Sequence, residues 1–153
     1  MRKLLIVSSL LLIAGIACGQ TKPSDQVNMQ AEITVITKLM DEFDFGSIFT
    51  DDALICGTDP SEFWSKQQFV ESMEQISNDP PEINSIGDRV VKVAPDGNSA
   101  VVVTQYIIAW SPKIPWRQVY HLTKTDDGWK VFFINFAFVP KNEHIELINE
   151  AIQ

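Results

Sequence analysis

The feature that most limits what this chain can fold into is a change of period at Pro81. Before it, apolar residues recur every three or four positions. After it they alternate, in long β-branched and aromatic runs divided by tight turns. Helices come first and an antiparallel meander of strands second, so the expected class is α+β. The chain has 153 residues, 45% of them hydrophobic, which suits one domain with its own core.

In the helical half, Met29, Ile33, Ile36, Met40 and Phe43 share a stripe that Val35 and Leu39 widen. This predicts a helix over Asp25–Phe45, capped by Ser24 and ended by Gly46. Ser47–Asp52 then connects to a strand over Ala53–Cys56. Ser65 and Gln68 form a capping box for a second helix over Lys66–Ile76, broken by Asn78-Asp79-Pro80-Pro81. Strands are expected over Asp88–Ala94, Ser99–Trp110, Trp116–Thr125 and Trp129–Val139. Pro95-Asp96-Gly97-Asn98 and Asp126-Asp127-Gly128 are turns, and Ser111–Pro115 is a loop. Asn142 caps a last short helix whose apolar face is Ile145, Ile148 and Ile152.

The N-terminus reads as an export signal over residues 1–17. Met1-Arg2-Lys3 is basic, Leu4–Ile16 is apolar or small, and Gly15-x-Ala17 has cleavage spacing. Cys18, followed by a polar tether to residue 25, also fits a bacterial lipoprotein acylated at that cysteine. The folded domain is then 26–153, either anchored in the cell envelope by lipid or secreted. Two cysteines provide no disulfide framework, and Cys56 reads as a small core hydrophobe. The formal charge is −8, or −10 without Arg2 and Lys3, which argues against nucleic acid or an anionic membrane surface as partner.

The segments FTDDA, GTDPSEFW, PDGN and KTDDGWKV, with Asn135 and the ending VPKNE, resemble the SnoaL-like branch of the nuclear transport factor 2-like (NTF2-like) superfamily over residues 26–143. The resemblance implies a cone: a strongly curved antiparallel sheet wrapped around the first helix, with a pocket at its open end, often in a homodimer. The chain departs from the family in two ways. Asp44–Thr50 leaves little room for a fuller second helix, and the apolar Phe133 stands where members tend to carry a histidine.

Because alternate side chains of a strand share a face, Trp129, Val131, Phe133, Asn135 and Ala137 form one set. Trp116, Gln118, Tyr120 and Leu122 form another, and Thr104, Tyr106, Ile108 and Trp110 a third. The resemblance puts the first set on the concave face. The candidate ligand-binding residues are therefore Trp64, Tyr106, Trp110, Trp116, Tyr120, Trp129, Phe133 and Asn135, around a small, partly apolar ligand. The competing reading is that these aromatics fill the core.

Catalytic machinery is thin. No Asp or Glu occurs over residues 98–125 or 128–142, so a carboxylate base would come from Asp41, Glu42 or Asp44 on the first helix, from Asp88, or from the loop of Asp59 and Glu62. His121, Asp59 and Glu62 are the candidates for acid–base work in an isomerase, cyclase or hydrolase. Asp59 and Glu62 equally fit a strand-ending turn before the second helix. No metal spacing, phosphate loop or nucleophile elbow is present, so no cofactor is expected. A third reading is structural: Arg117, Val119, His121 and Thr123 on the outer face make a homodimer.

Overall fold

The structure, a computed structural model, describes residues 23–76 and 81–152. The export signal, Cys18 and the start of the tether lie outside them. A first helix, α1 (Pro23–Asp41), is followed by β1 (Phe49–Cys56), β2 (Phe63–Ser65) and α2 (Lys66–Ile76). Then come β3 (Ile83–Ser85), β4 (Val90–Val93), β5 (Ser99–Ile108), β6 (Ser111–Thr125) and β7 (Gly128–Phe138). A 3₁₀ turn (Asn142–His144) leads into α3 (Ile145–Ala151). One curled seven-stranded sheet runs β2-β1-β7-β6-β5-β3, with β4 also paired to β5. All pairings are antiparallel except β1 with β7.

Ile36 and Met40 of α1 pack into the inner face of the sheet, against the buried Ala100, Val102, Leu122, Val131 and Ile134. Val35, expected to widen the stripe, is 54% exposed. α1 also starts and stops early. Ser24 lies inside it rather than capping it, and its end at Asp41 precedes Gly46 by five residues. The stop has a local cause: the Asp44 carboxylate accepts from Gly46 N (3.2 Å) and from Ser47 Oγ (2.6 Å), a turn that competes with the next helical bonds. Polar ties at Glu32 and, through Arg89, at Thr37 and Asp41 also hold α1 to the sheet side. Glu32 accepts from Lys124 Nζ at 2.5 Å and from Trp129 Nε1 at 2.7 Å.

α2 has the expected bounds and the expected cap. Ser65 N donates to Gln68 Oε1 (2.9 Å), and Gln68 N donates to Ser65 Oγ (3.4 Å). The two expected turns carry Gly97 at φ 72° and Gly128 at φ 102°, which only glycine adopts without strain. The FTDDA segment is strand rather than connection, and Ser111–Pro115 is the start of β6 rather than a loop. Pairing is irregular there: Tyr106 faces Trp116 and Ile108 faces Ser111, so Pro112 and Pro115 break no continuous ladder. β2 and β3 were not anticipated; each is three residues long and too short to alternate.

The last helix does not pack as its pattern suggests. α3 has no buried residue, Ile145 and Ile152 are exposed, and Asn142 makes no side-chain cap bond. Its apolar face is therefore not part of the core. No helix among the described residues is long and apolar enough to cross a membrane.

Candidate functional site

The decisive local event lies in β7. Leu122 pairs with Val131, but the next pair is His121 with Phe133, so Phe132 is an extra residue in the ladder. Such a bulge resets the alternation. Trp129 and Val131 point inward before it, and Ile134 and Phe136 after it. Phe133 and Asn135 consequently lie on the outer face, not on the concave one. Phe133 sits beside Leu54 and His121, and Asn135 beside Cys56 and Val119. The His121 ring meets Phe133 edge-on at 5.4 Å and Phe132 at 5.9 Å. Cys56 is half-buried on that same outer face, so it is not a core residue.

On the inner face three rows cross β5, β6 and β7. Val102, Tyr120 and Ile134 form the row that closes the main core. Tyr106, Trp116 and Phe138 form the row nearest the open end, where Trp116 meets Phe138 (4.8 Å), Trp110 (4.7 Å) and Tyr106 (6.2 Å). Between them lies the row of Thr104, Gln118 and Phe136, all only half-buried although Val102, Tyr120, Ile134, Tyr106 and Trp116 on either side are buried; Phe138, at the rim, is exposed. This middle row is the floor of a recess. Phe43 and Phe69 form its back, at 5.9 Å from Tyr120 and 5.9 Å from Phe136, with Trp64 stacked on Phe69 at 6.0 Å.

The structure thus brings Trp64, Tyr106, Trp116 and Tyr120 around one recess, with Trp110 at its outer edge, 60% exposed. Trp129 stands apart, its indole N–H committed to Glu32 in the middle of α1. Polar groups converge on the floor. Gln118 Oε1 accepts from Tyr120 Oη (2.8 Å) and from Thr104 Oγ1 (3.4 Å). The Trp116 indole nitrogen is buried with no partner. Burial raises the Tyr106 phenol to about 12 and pushes the Tyr120 phenol up as well, so both keep their protons near neutral pH.

Arg89 adds a group the sequence reading passed over. It precedes β4, and parity with the inward Val91 and Val93 turns it toward the interior. Its Nη1 donates to Asp41 Oδ1 (2.6 Å) and to the Thr37 carbonyl (3.3 Å), while its Nε is buried and unpartnered. Its charge acts on the Tyr120 hydroxyl. Nothing in the IGDRVV segment marks this arginine, because only the packing of β4 against α1 brings it to Thr37 and Asp41.

The three catalytic candidates do not gather here. His121 is on the outer face. Asp59 accepts from the amide and hydroxyl of Ser61 (2.8 and 2.5 Å), which hold its carboxyl below the usual range. Glu62 folds back under its own loop, accepting from Asp59 N at 2.9 Å, and a Cβ at Gly57 would lie 2.1 Å from its Oε2. Among the described residues no cluster of three or more His, Cys, Asp or Glu could hold a metal ion. A surface groove of about 660 Å³ beside α2, lined by Asp51, Lys66, Gln67 and Glu71, lies outside the recess.

A SnoaL-like domain model matches residues 25–139. The chain belongs to the SnoaL-like domain family. With the helix packed on a curled sheet, this is the NTF2-like cone. A Parabacteroides distasonis candidate ketosteroid isomerase aligns at 20% identity and TM-score 0.55, over 71% of this chain and 89% of its own. A candidate scytalone dehydratase from Novosphingobium aromaticivorans aligns at 12% identity and TM-score 0.59, over 74% and 88%. A Nostoc punctiforme domain of unknown function with a cystatin-like fold aligns at 12% and TM-score 0.58, over 85% and 86%. These likenesses extend to the fold alone. The search of curated proteins finds no match.

Proposed function

We propose that this SnoaL-like domain binds a small, partly apolar molecule in the recess over Thr104, Gln118 and Phe136. The observation that carries this reading is a half-open row holding two polar side chains, flanked by the buried Tyr120 on one side and the buried Tyr106 and Trp116 on the other, with the Trp116 N–H unpartnered. A buried donor without a partner costs about 1–3 kcal/mol, and a ligand that accepts from it recovers that cost. Apolar walls with a few convergent polar groups are what small-molecule sites are made of. The candidate acids and His121 lie away from this row, which favours binding over turnover. The isomerase, cyclase or hydrolase alternative needs a base the recess does not offer, since Asp41 at its edge is paired with Arg89.

Trp emission during a screen of flat, partly apolar molecules tests the reading. Binders should shift the spectrum of the native protein, and Trp116→Phe should weaken them by roughly tenfold, the worth of one buried hydrogen bond. A response unchanged in that variant contradicts it.

A second reading concerns the outer face. Phe63, Cys56, Asn135, Val119, Val103 and Val90 form one cross-strand row, with Leu54, Phe132 and Phe133 beside it. Phe63 and Val90 are 62% and 58% exposed, and no Asp or Glu interrupts the row. We propose that a second copy covers this face in a two-fold homodimer, because a sheet apolar on both faces leaves one uncovered by its own helix. Light scattering of the purified protein tests it; a monomer at all concentrations rejects it. We propose also that residues 1–17 direct export, with Cys18 the acylation site or the first residue after plain cleavage. Intact mass of membrane-extracted protein separates these.

A further inference from the structure

Resting on the reading of the recess as a ligand site, we infer that its ligand is an aromatic carboxylate, received by the free edge of Arg89. An arginine offers two parallel N–H bonds along its Nε–Nη2 edge, a fork that matches the two oxygens of a carboxylate. In this chain the other end of the guanidinium is already fixed: Nη1 alone holds both the Asp41 carboxylate and the Thr37 carbonyl. That leaves the Nε–Nη2 edge without a partner among the described residues, with Nε itself fully buried. The group is pre-organised, because α1 clamps one end while β4 fixes the other, so little freedom remains to be lost when an anion arrives.

The neighbours of that edge suit the same ligand. Arg89 stands one residue before the Val90–Val103 pair, so the β4–β5 register extends it toward Thr104, whose partner on β6 is Gln118; Tyr120 lies one row away, its phenol protonated and hydrogen-bonded to Gln118. Gln118 spends its oxygen on Tyr120 and Thr104, which leaves the amide nitrogen as a further donor. Trp116 adds an unpartnered N–H at the next row. The buried unsatisfied groups here, Arg89 Nε and Trp116 Nε1, are therefore donors, and the Asp41 carboxylate is spent on Arg89 Nη1 from the α1 side. Donors call for an acceptor. The walls set the rest of the ligand: Tyr106, Trp116, Phe136 and Phe69 present ring faces and edges, which receive a flat aromatic body. Asp41 also accounts for how such a site exists in an acidic chain. It pairs with the arginine through Nη1 and leaves the Nε–Nη2 edge without a partner among the described residues.

The probes are 2-naphthoate and its uncharged methyl ester, titrated against the purified protein by calorimetry with Trp emission in parallel. The acid should bind about tenfold more tightly than the ester, the difference expected for hydrogen bonds to a charged group. Arg89→Lys keeps the charge but loses the fork, and should remove that preference. Since Arg89 also ties β4 to α1, Asp41→Asn supplies a second measurement: losing the competing carboxylate should raise 2-naphthoate affinity by roughly threefold. Equal binding of acid and ester by the native protein overturns the carboxylate assignment while leaving the recess as a ligand site. Acid binding unchanged in both variants also overturns it. Failure of both probes to bind overturns the assignment and the recess reading together.

Discussion

The two faces of the sheet are made by the same strands, yet they differ in what each position demands. On the inner face the rows are closed by α1 and by aromatic contacts, and Leu122, Val102 and Val131 are fully buried. On the outer face the rows are open and mix apolar with polar side chains, and Leu54, Phe63 and Val90 meet solvent. Adjacent residues such as His121 and Leu122 therefore carry different burdens. The comparison teaches that hydrophobicity along these strands does not by itself report the core. Which face is covered does.

The sharpest break of that comparison is Leu122→Ala against His121→Ala. The first empties a packed site and should cost about 3 kcal/mol, while the second should stay within about 0.5 kcal/mol. Denaturant melts of the two variants check this, and equal losses would mean the faces are not distinct.

The tie between α1 and the inner face comes next. Glu32→Gln keeps an oxygen for Trp129 but loses the charge opposite Lys124, and should cost roughly 1 kcal/mol at neutral pH. The Lys124 and Trp129 hydrogen bonds lower the Glu32 pKa in the folded state. Its contribution is therefore full above the ordinary carboxylate range near 4.5 and disappears as pH falls through the lowered folded value. Native and Glu32→Gln stabilities should converge on acidification; parallel curves would show that the tie carries no charge component.

The outer face predicts a subtler effect. If a second copy covers it, the native Tm should rise with protein concentration, and Phe133→Asp should abolish that dependence. The smallest effect concerns the loop before α2. Asp59→Asn should leave ligand affinity unchanged in Trp titrations, because Asp59 serves Ser61 rather than the recess. A loss of affinity would return that loop to the site.

Much of the architecture was legible in the chain. The change of period at Pro81 announced the α+β order, Ser65 with Gln68 marked the start of α2, and Gly97 and Gly128 marked the hairpins. These are local effects, decided within a few residues by capping and by backbone sterics. The inward set on β5 and β6 was readable for the same reason, since alternation there is unbroken across Ala100–Tyr106 and Trp116–Leu122. On β7 it was not. One bulge at Phe132 turned Phe133 and Asn135 outward, and two successive phenylalanines hide which of them is the extra residue.

By itself, then, the sequence determined the period, the caps and the turns, because each depends on neighbours along the chain. Tertiary structure alone decided the register of β7, the commitment of Trp129 to Glu32, and the pairing of Arg89 with Asp41. Those depend on strand pairing and on where α1 lies, contacts between residues dozens of positions apart that no local pattern encodes.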